Sequence, residues 1–416
     1  MRYLGFFLWA CAVFLPATSG ASPLSLAGAQ RIAEQRSPSL QAQDAAVRAI
    51  RAQEASAGEL PDPKLILAID NLPTDGPDRF NLTRDSMTMR RVGVMQEFAA
   101  GDKRRLRSER ATAEAQREAA VLAAARLNVR RDAAFAWLER HFAERQLAVL
   151  RELARESELQ TMAMEAAVAS GKAPTADPLA ARLAALQVED RILEGEKNVA
   201  RATLSLERWV GTAAHAPLDA PPSFDRLSHR HEELTRELET HPHLAMYAPM
   251  QAVALAELRL ADAARRPDWS LEVGFAQRGP AYSNMLSIGV RVDLPIFQSR
   301  RQDPQHLARQ AQLEQARSLA ADALRVHAAE VATTMADWSA AKLRVERYRA
   351  RLLPLADERK AVALAAYRGG RSDLTTVIDA HKAALEIRIN ELTAQAELAR
   401  AWAQLEAMLP ETKERP

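Results

Sequence analysis

The sequence predicts a mainly α-helical protein with a small β part, on three observations. Two proline-free runs of 69 residues (102–170) and 49 residues (305–353) are rich in helix-forming residues. Short stretches in which apolar and polar residues alternate precede each run. The whole arrangement occurs twice: Pro38 is followed by Pro63 and Pro242 by Pro267, an offset of 25 residues in both copies. Val92-Gly93-Val94 then answers to Ile288-Gly289-Val290, and Ser170-Gly171-Lys172 to Gly369-Gly370-Arg371. Self-similarity at this scale marks one supersecondary unit used twice. Residues 22–211 and 212–410 each read as helix, strand, strand, helix, turn, helix, with 411–416 as a tail.

Residues 1–21 read as a secretory signal. Arg2 is the early charge, Leu4 to Leu15 an apolar core of 12 residues, and Ala17-Thr18-Ser19-Gly20-Ala21 a small-residue cleavage region. An apolar run of that length is too short to span a bilayer, which needs about 20 residues. Cys11, the single cysteine, lies inside this core, so neither disulfides nor thiolate chemistry carries the exported chain. With 56 basic and 54 acidic residues the net charge is +2, which implies no polyanion partner and gives nucleic-acid binding no support.

Amphipathic helices are expected at about 25–58 and 229–265. The run from Asp102 to Ser170 reads as one helix about 100 Å long at 1.5 Å per residue, so it must lie against comparable helices. Eight of the sixteen residues in 111–126 are alanine, which favours helix and lets neighbours approach closely. That suits a wall in which each helix has two neighbours, and an extended coiled-coil rod is the alternative. Gly171-Lys172-Ala173-Pro174 and Gly369-Gly370-Arg371-Ser372 are stop and start signals leading to half-length helices that end near Val210 and Met408. The second long helix is expected to continue past Pro354 to Arg368. The half-length helices leave half of each long helix bare, and the two amphipathic helices have the length to cover it.

Strands are expected at about 64–72, 86–98, 268–277 and 285–297. In the third, Trp269, Leu271, Val273 and Phe275 oppose Ser270, Glu272, Gly274 and Ala276. In the fourth, Leu286, Ile288, Val290, Val292 and Leu294 oppose Ser287, Gly289, Arg291 and Asp293. Lipid-facing barrel strands alternate in this way around a wet lumen, and a soluble two-sheet packing shows the same pattern. Four strands cannot close, since the smallest single-chain membrane barrels have about eight. An open edge in lipid leaves backbone groups unsatisfied. A barrel therefore requires several copies of the chain.

The doubled order, together with Pro61-Asp62-Pro63-Lys64, Asp70-Asn71-Leu72-Pro73 and Met87 to Phe98, resembles the TolC family of outer-membrane efflux channels. The likeness extends over the whole mature length, and within the family the Pro61 to Phe98 stretch looks most like the CzcC-type heavy-metal branch. The resemblance implies a homotrimer with a 12-stranded outer-membrane β-barrel, four strands per chain, continuing into a periplasmic 12-helix α-barrel in a Gram-negative bacterium. It implies a passive duct for heavy-metal cations, joined to a periplasmic adaptor protein and an inner-membrane resistance-nodulation-division pump. The alternatives are a duct for drugs or other small molecules and a soluble periplasmic helical adaptor or scaffold.

By the same resemblance the hairpin turns form the periplasmic tip. Tyr367 matches the family's tip tyrosine and Asp379 its second acidic pore position. The first acidic position falls on Thr376, so the double ring is incomplete, and Asp373 in the tip turn with Arg371 could substitute. Three copies of Asp379 near an axis would repel one another and concentrate cations; the bland alternative pairs Asp379 with His381 or Arg371. Gly171, Lys172, Gly369, Gly370 and Ser372 are the expected adaptor contacts, and the second copy is expected to hold the gate.

His229, His231, His241 and His243 place four of nine histidines within 15 residues. Imidazoles bind zinc, copper and nickel, and His241 and His243 are the weak candidate ligands. No cysteine or carboxylate spacing completes a site, so solvated histidines are the stronger reading. Met87, Met89 and Met95 share strand parity. Lys103, Arg104, Arg105, Arg107 and Arg110 oppose a helix dipole, as do Arg300 and Arg301, which suggests either lipid phosphate partners or a solvated basic face. No phosphate loop, triad or metal-hydrolase motif occurs, so neither an enzyme nor a cofactor is expected.

Overall fold

The computed structural model describes residues 22–169, 177–227, 238 and 241–408. The expected signal segment, Gly171 and Lys172 of the first hairpin turn, His229 and His231, and the tail 411–416 lie outside the described residues. The chain divides into two compact units. One comprises the described residues of Met1–Ala33, Ala133–Ser223 and Ala356–Leu392, the other those of Glu34–Asp132, Phe224–Leu355 and Thr393–Pro416.

The first expected helix is broken in two, α1 (Leu26–Arg36) and α2 (Pro38–Ser56). Pro38 bars its predecessor from helical geometry, and Ser37 sits extended at φ −65° and ψ 112°. The Ser37 hydroxyl accepts from the Leu40 N–H at 3.4 Å, which caps the helix that Pro38 starts. In the second copy turns at 241–246 interrupt the expected helix and α5 (Tyr247–Ala263) follows them, while 229–237, 239 and 240 lie outside the described residues.

The long helices form over the expected spans. α3 (Lys103–Ala169) runs 67 residues and α4 (Asp177–Val210) follows it, ending in a 3-10 turn at Gly211–His215. Ion pairs and hydrogen bonds order the antiparallel partners. Along the first half of α3, Glu34, Gln43 and Glu54 meet Arg130, Glu118 and Thr112 at 2.7, 3.0 and 2.7 Å. Along its second half, Glu196 and Arg182 of α4 meet Arg151 and Glu165 at 2.8 and 2.6 Å. The short helices thus cover the halves that the hairpin partner leaves bare.

In the second copy α6 (Gln302–Arg347) passes through one π turn, Tyr348–Leu352, into α7 (Leu353–Arg368). Pro354 donates no hydrogen bond and its ring crowds the carbonyl four residues back; a widened turn lets the helix continue. α8 (Leu374–Met408) returns, and it is helical up to Met408, its last described residue. No helix among the described residues is long and apolar enough to cross a membrane.

Four strands, β1 (Lys64–Asp70), β2 (Met89–Phe98), β3 (Trp269–Gln277) and β4 (Met285–Val292), form one antiparallel sheet in chain order. All four are shorter than expected, β3 by one residue only. β1 stops where Asn71 turns left-handed at φ 57°. β2 starts late because the Asp85 carboxylate accepts the N–H groups of Met87 and Thr88 at 2.6 and 3.1 Å, holding Met87 in a turn. β4 ends before Pro295, which has no N–H for a ladder.

Burial around Trp137 anchors the first unit. Its indole N–H donates to the Leu24 carbonyl at 2.8 Å, and Leu24 bridges to Leu218, so the N-terminal segment and the linker after α4 are strapped onto α3. The core of the second unit includes Val331, Met335, Leu405 and Met408.

Lys103, Arg104, Arg105 and Arg110, four of the five cations at the start of α3, have partners within the chain. The Lys103 ammonium lies 2.8 Å from both the Asp268 carboxylate and the Arg266 carbonyl. Arg104 donates to Gly58, Arg105 pairs with Asp102 and Glu109, and Arg110 with Glu257. These acceptors offset the unfavourable dipole.

Candidate functional site

Three places gather the chemistry: the sheet, the turn of the second hairpin, and a group of histidines in the second unit.

The sheet has two unlike faces because side chains alternate along each strand. Leu65, Leu67 and Ile69 of β1, Val92 and Val94 of β2, Val273 and Phe275 of β3, and Leu286, Ile288 and Val290 of β4 share one face and are all exposed. Leu67 is 70% and Ile288 69% exposed, values that water would not favour for a continuous patch. The opposite face carries Asp70, Arg91, Glu272 and Arg291 among Gly93, Gly274 and Gly289. Met95 lies on this polar face, with its sulfur 3.3 Å from an Arg291 nitrogen. Glu272 and Arg291 were visible as off-phase members of the alternation in the third and fourth strands, but Asp70, Arg91 and the pairing of the four were not.

The second hairpin turn is set by hydrogen bonding. The Arg371 N–H donates to Ala366 O and the Gly370 N–H to Tyr367 O, both at 2.9 Å, a six-to-one and five-to-two pair that closes the end of α7. That closure requires a left-handed residue, and Gly370 has φ 67°. Gly370→Ala is therefore expected to cost about 1 kcal/mol in unfolding free energy, and Gly369→Ala to stay within about 0.5 kcal/mol of wild type. Thermal unfolding of the two variants checks the contrast.

Beyond the turn, Leu374, Val377 and Ala380 of α8 pack with Ala363, and Tyr367 lies half-buried against them. Asp373, Thr376 and Asp379 recur at a spacing of three and are all exposed, so Thr376 and Asp379 are neighbours on the face opposite the packed one. Arg371 is exposed and Ser372 half-buried. Asp379 has no ion pair or hydrogen bond among the described residues. His381 points elsewhere: its Nδ1 lies 3.6 Å from Glu156 of α3, beside Lys360. Burial, helped by Lys360 and opposed by Glu156, holds this imidazole below its ordinary pKa, so it is neutral at pH 7.

The third place brings His241 and His243 to His327 of α6. The His241 Nδ1 and the His327 Nε2 are 2.7 Å apart in a buried hydrogen bond, and the His243 and His327 ring centroids are 6.0 Å apart. Glu330 lies 3.7 Å from the His327 Nδ1. A proton on His327 Nδ1 leaves Nε2 to accept from His241, an assignment that follows from the network. Burial lowers the pKa of all three, and His241 is pushed to about 4 with the repulsion of His327 and His243 added. Among the described residues no group of three His, Cys, Asp or Glu is arranged to hold a metal ion. His327 was not a candidate, since it is 86 residues from His241.

Comparison with known proteins follows this geometry. The family described as outer membrane efflux protein matches over residues 30–212 and 234–410. A membrane protein from Pseudomonas aeruginosa superposes with a TM-score of 0.79 at 19% identity, over 92% of this chain and 93% of its own. VceC, an outer membrane protein from Vibrio cholerae, gives 0.77 at 19% over 92% and 95%. CusC, described in connection with transmembrane channel formation, gives 0.77 at 16% over 93% and 92%. At these identities the structural likeness is one of fold. No curated protein sequence matches the chain.

Proposed function

The chain belongs to the outer membrane efflux protein family, and on that premise we propose that it is the exit duct of a tripartite efflux system for heavy-metal cations. Like its family, it is an outer-membrane channel that extends into the periplasm, and it makes and breaks no bonds. The proposal adds a homotrimer, a periplasmic adaptor and an inner-membrane resistance-nodulation-division pump. It also places Asp379, Thr376, Tyr367, Asp373 and Arg371 at the gate and Gly171, Lys172, Gly369, Gly370 and Ser372 at the adaptor contact.

One observation carries the duct: a sheet exposed and apolar on one face and charged on the other, with β1 and β4 as its edges. A soluble scaffold would have to leave that apolar face in water. Four is an even number, so β4 runs antiparallel to β1, and β4 of one copy can extend the same ladder through β1 of another. Lipid leaves no unpaired edge unpunished, which drives closure. The number three comes from the family resemblance, and so does the metal cargo, through the likeness of Pro61 to Phe98 to the CzcC-type branch.

Reconstitution in planar bilayers tests the duct: discrete conductance steps are expected, and a protein that never conducts overturns the reading. In the same bilayers Asp379→Ala is expected to lower the cation-over-anion permeability ratio severalfold, read from reversal potentials, because it removes charge from a confined path. An unchanged ratio removes Asp379 from the pore. Deleting the protein in a strain without substitutes is expected to raise metal sensitivity, and unchanged sensitivity overturns the cargo while leaving the duct.

A further inference from the structure

The polar face of the sheet carries a row of four charged residues of alternating sign, one from each strand, beside a separate pair of Lys64 and Glu97. Asp70 of β1 lies 2.9 Å from the Arg91 Nε of β2, and the Arg91 Nη1 lies 2.8 Å from Glu272 of β3. Glu272 then lies 3.5 Å from the Arg291 Nη2 of β4. None of these pairs is directly opposed in the ladder. Asp70 is opposite Met89, Glu272 opposite Met95, and Arg291 opposite Ser270, which faces Glu97. Measured along β2 the row therefore steps through positions 89, 91, 95 and 97, always in one sense. Such an oblique drift is what level lines make across strands tilted in a barrel.

Glycines lie beneath the row. A Cβ on Gly274 would stand 3.5 Å from Arg91 Cδ, so the Arg91 stem lies over bare backbone there. On Gly93, which faces Gly274 in the ladder, a Cβ would come within 3.1 Å of Val273 O. Arg91 and Glu272, in the middle, have an opposite charge on each side. The two ends do not: among the described residues Asp70 pairs with Arg91 alone, and Arg291, its side chain 66% exposed, meets only Glu272 as a carboxylate.

We propose that the row closes between copies, with Arg291 of one copy pairing with Asp70 of the copy whose β1 lies beside its β4. The barrel then carries an unbroken girdle of alternating charge around its lumen. This rests on the reading of the sheet as one copy's share of a closed barrel. Across a seam between β4 of one copy and β1 of the next, the opposite signs of Arg291 and Asp70 attract, which supports a head-to-tail ring. Exposed ion pairs add little stability; the girdle's effect lies in edge choice and register.

Cysteine cross-linking in the full chain tests this, because Cys11 is the only native cysteine and lies in the expected signal segment. In outer-membrane preparations, Asp70→Cys with Arg291→Cys treated with a short bis-maleimide is expected to give covalent dimers and trimers on boiled gels. Neither single variant should give them. A double variant that forms a heat-labile oligomer yet never cross-links overturns the girdle and leaves the channel reading standing. A wild-type protein that is monomeric in mild detergent overturns the channel reading, and the girdle with it. Should the double variant not assemble, Arg291→Asp is expected to reduce the heat-labile oligomer severalfold while Arg291→Lys retains it. Equal oligomer in those two overturns the girdle.

Discussion

Trp137→Ala lowers the unfolding free energy by about 3–5 kcal/mol, the range for emptying a large aromatic site in a packed core. Trp137 is fully buried on α3, its ring stacked on His141 with centroids 5.3 Å apart. Its indole N–H holds the Leu24 carbonyl, so truncation both opens a cavity and loosens the strap formed by Leu24, Pro217 and Leu218. Trp137→Phe separates the two effects. It keeps most of the apolar area and loses the N–H, and Leu24 O still accepts from Asp219 N at 3.1 Å, so the loss is about 1 kcal/mol. Denaturant unfolding in detergent, followed by circular dichroism, measures both. A Trp137→Ala loss under about 1 kcal/mol would show that this strap does not anchor the unit.

Acidification from pH 6.5 to 4 removes on the order of 3 kcal/mol from the unit that holds the His241 and His327 pair. A neutral His241 donates to a neutral His327, and a second proton would place two cations 2.7 Å apart in a buried site. The unfolded chain takes up protons from about pH 6.5 downwards, whereas His241 in the folded chain resists until about pH 4. Stability is therefore full above pH 6.5, falls as the pH drops through that window, and levels off below it. The surrounding charges do not alter the direction. His243 and Arg131 disfavour protonation, Glu330 favours it, and the Ala407 carbonyl favours it at His243. Urea midpoints at pH 7, 5.5 and 4.5 should fall steadily for the wild type and remain flatter for His241→Leu with His327→Leu. Parallel decline in both proteins would sink the assignment.

Much of the fold was legible because it follows from local periodicity. The long helices could be read from missing prolines and abundant alanine, and the strand polarity from alternation at 269–276 and 286–292. The errors lie at boundaries, where a single residue outweighs periodicity. Pro38 split an expected helix, the Asp85 carboxylate delayed β2, and Asn71 ended β1. At Pro354 the opposite occurred, since one π turn absorbed a residue that normally ends a helix.

The candidate site divides the same way. Gly369 and Gly370 marked the second turn in the sequence, and it is Gly370 that takes its left-handed position, a conformation few other residues adopt without strain. The exposure of Asp379 and the turning of His381 toward Glu156 were not legible, since they depend on which face of α8 packs against α3 and α7.

By itself, then, the sequence determined the doubled element order, the two-faced strands and the membership that these imply, for each is written in spacing along the chain. The tertiary structure alone decided that His241 meets His327 across 86 residues and that Arg91 meets Glu272 across 181. Strand register and helix packing set those meetings, and a shift of one residue in register would turn Arg91 to the opposite face.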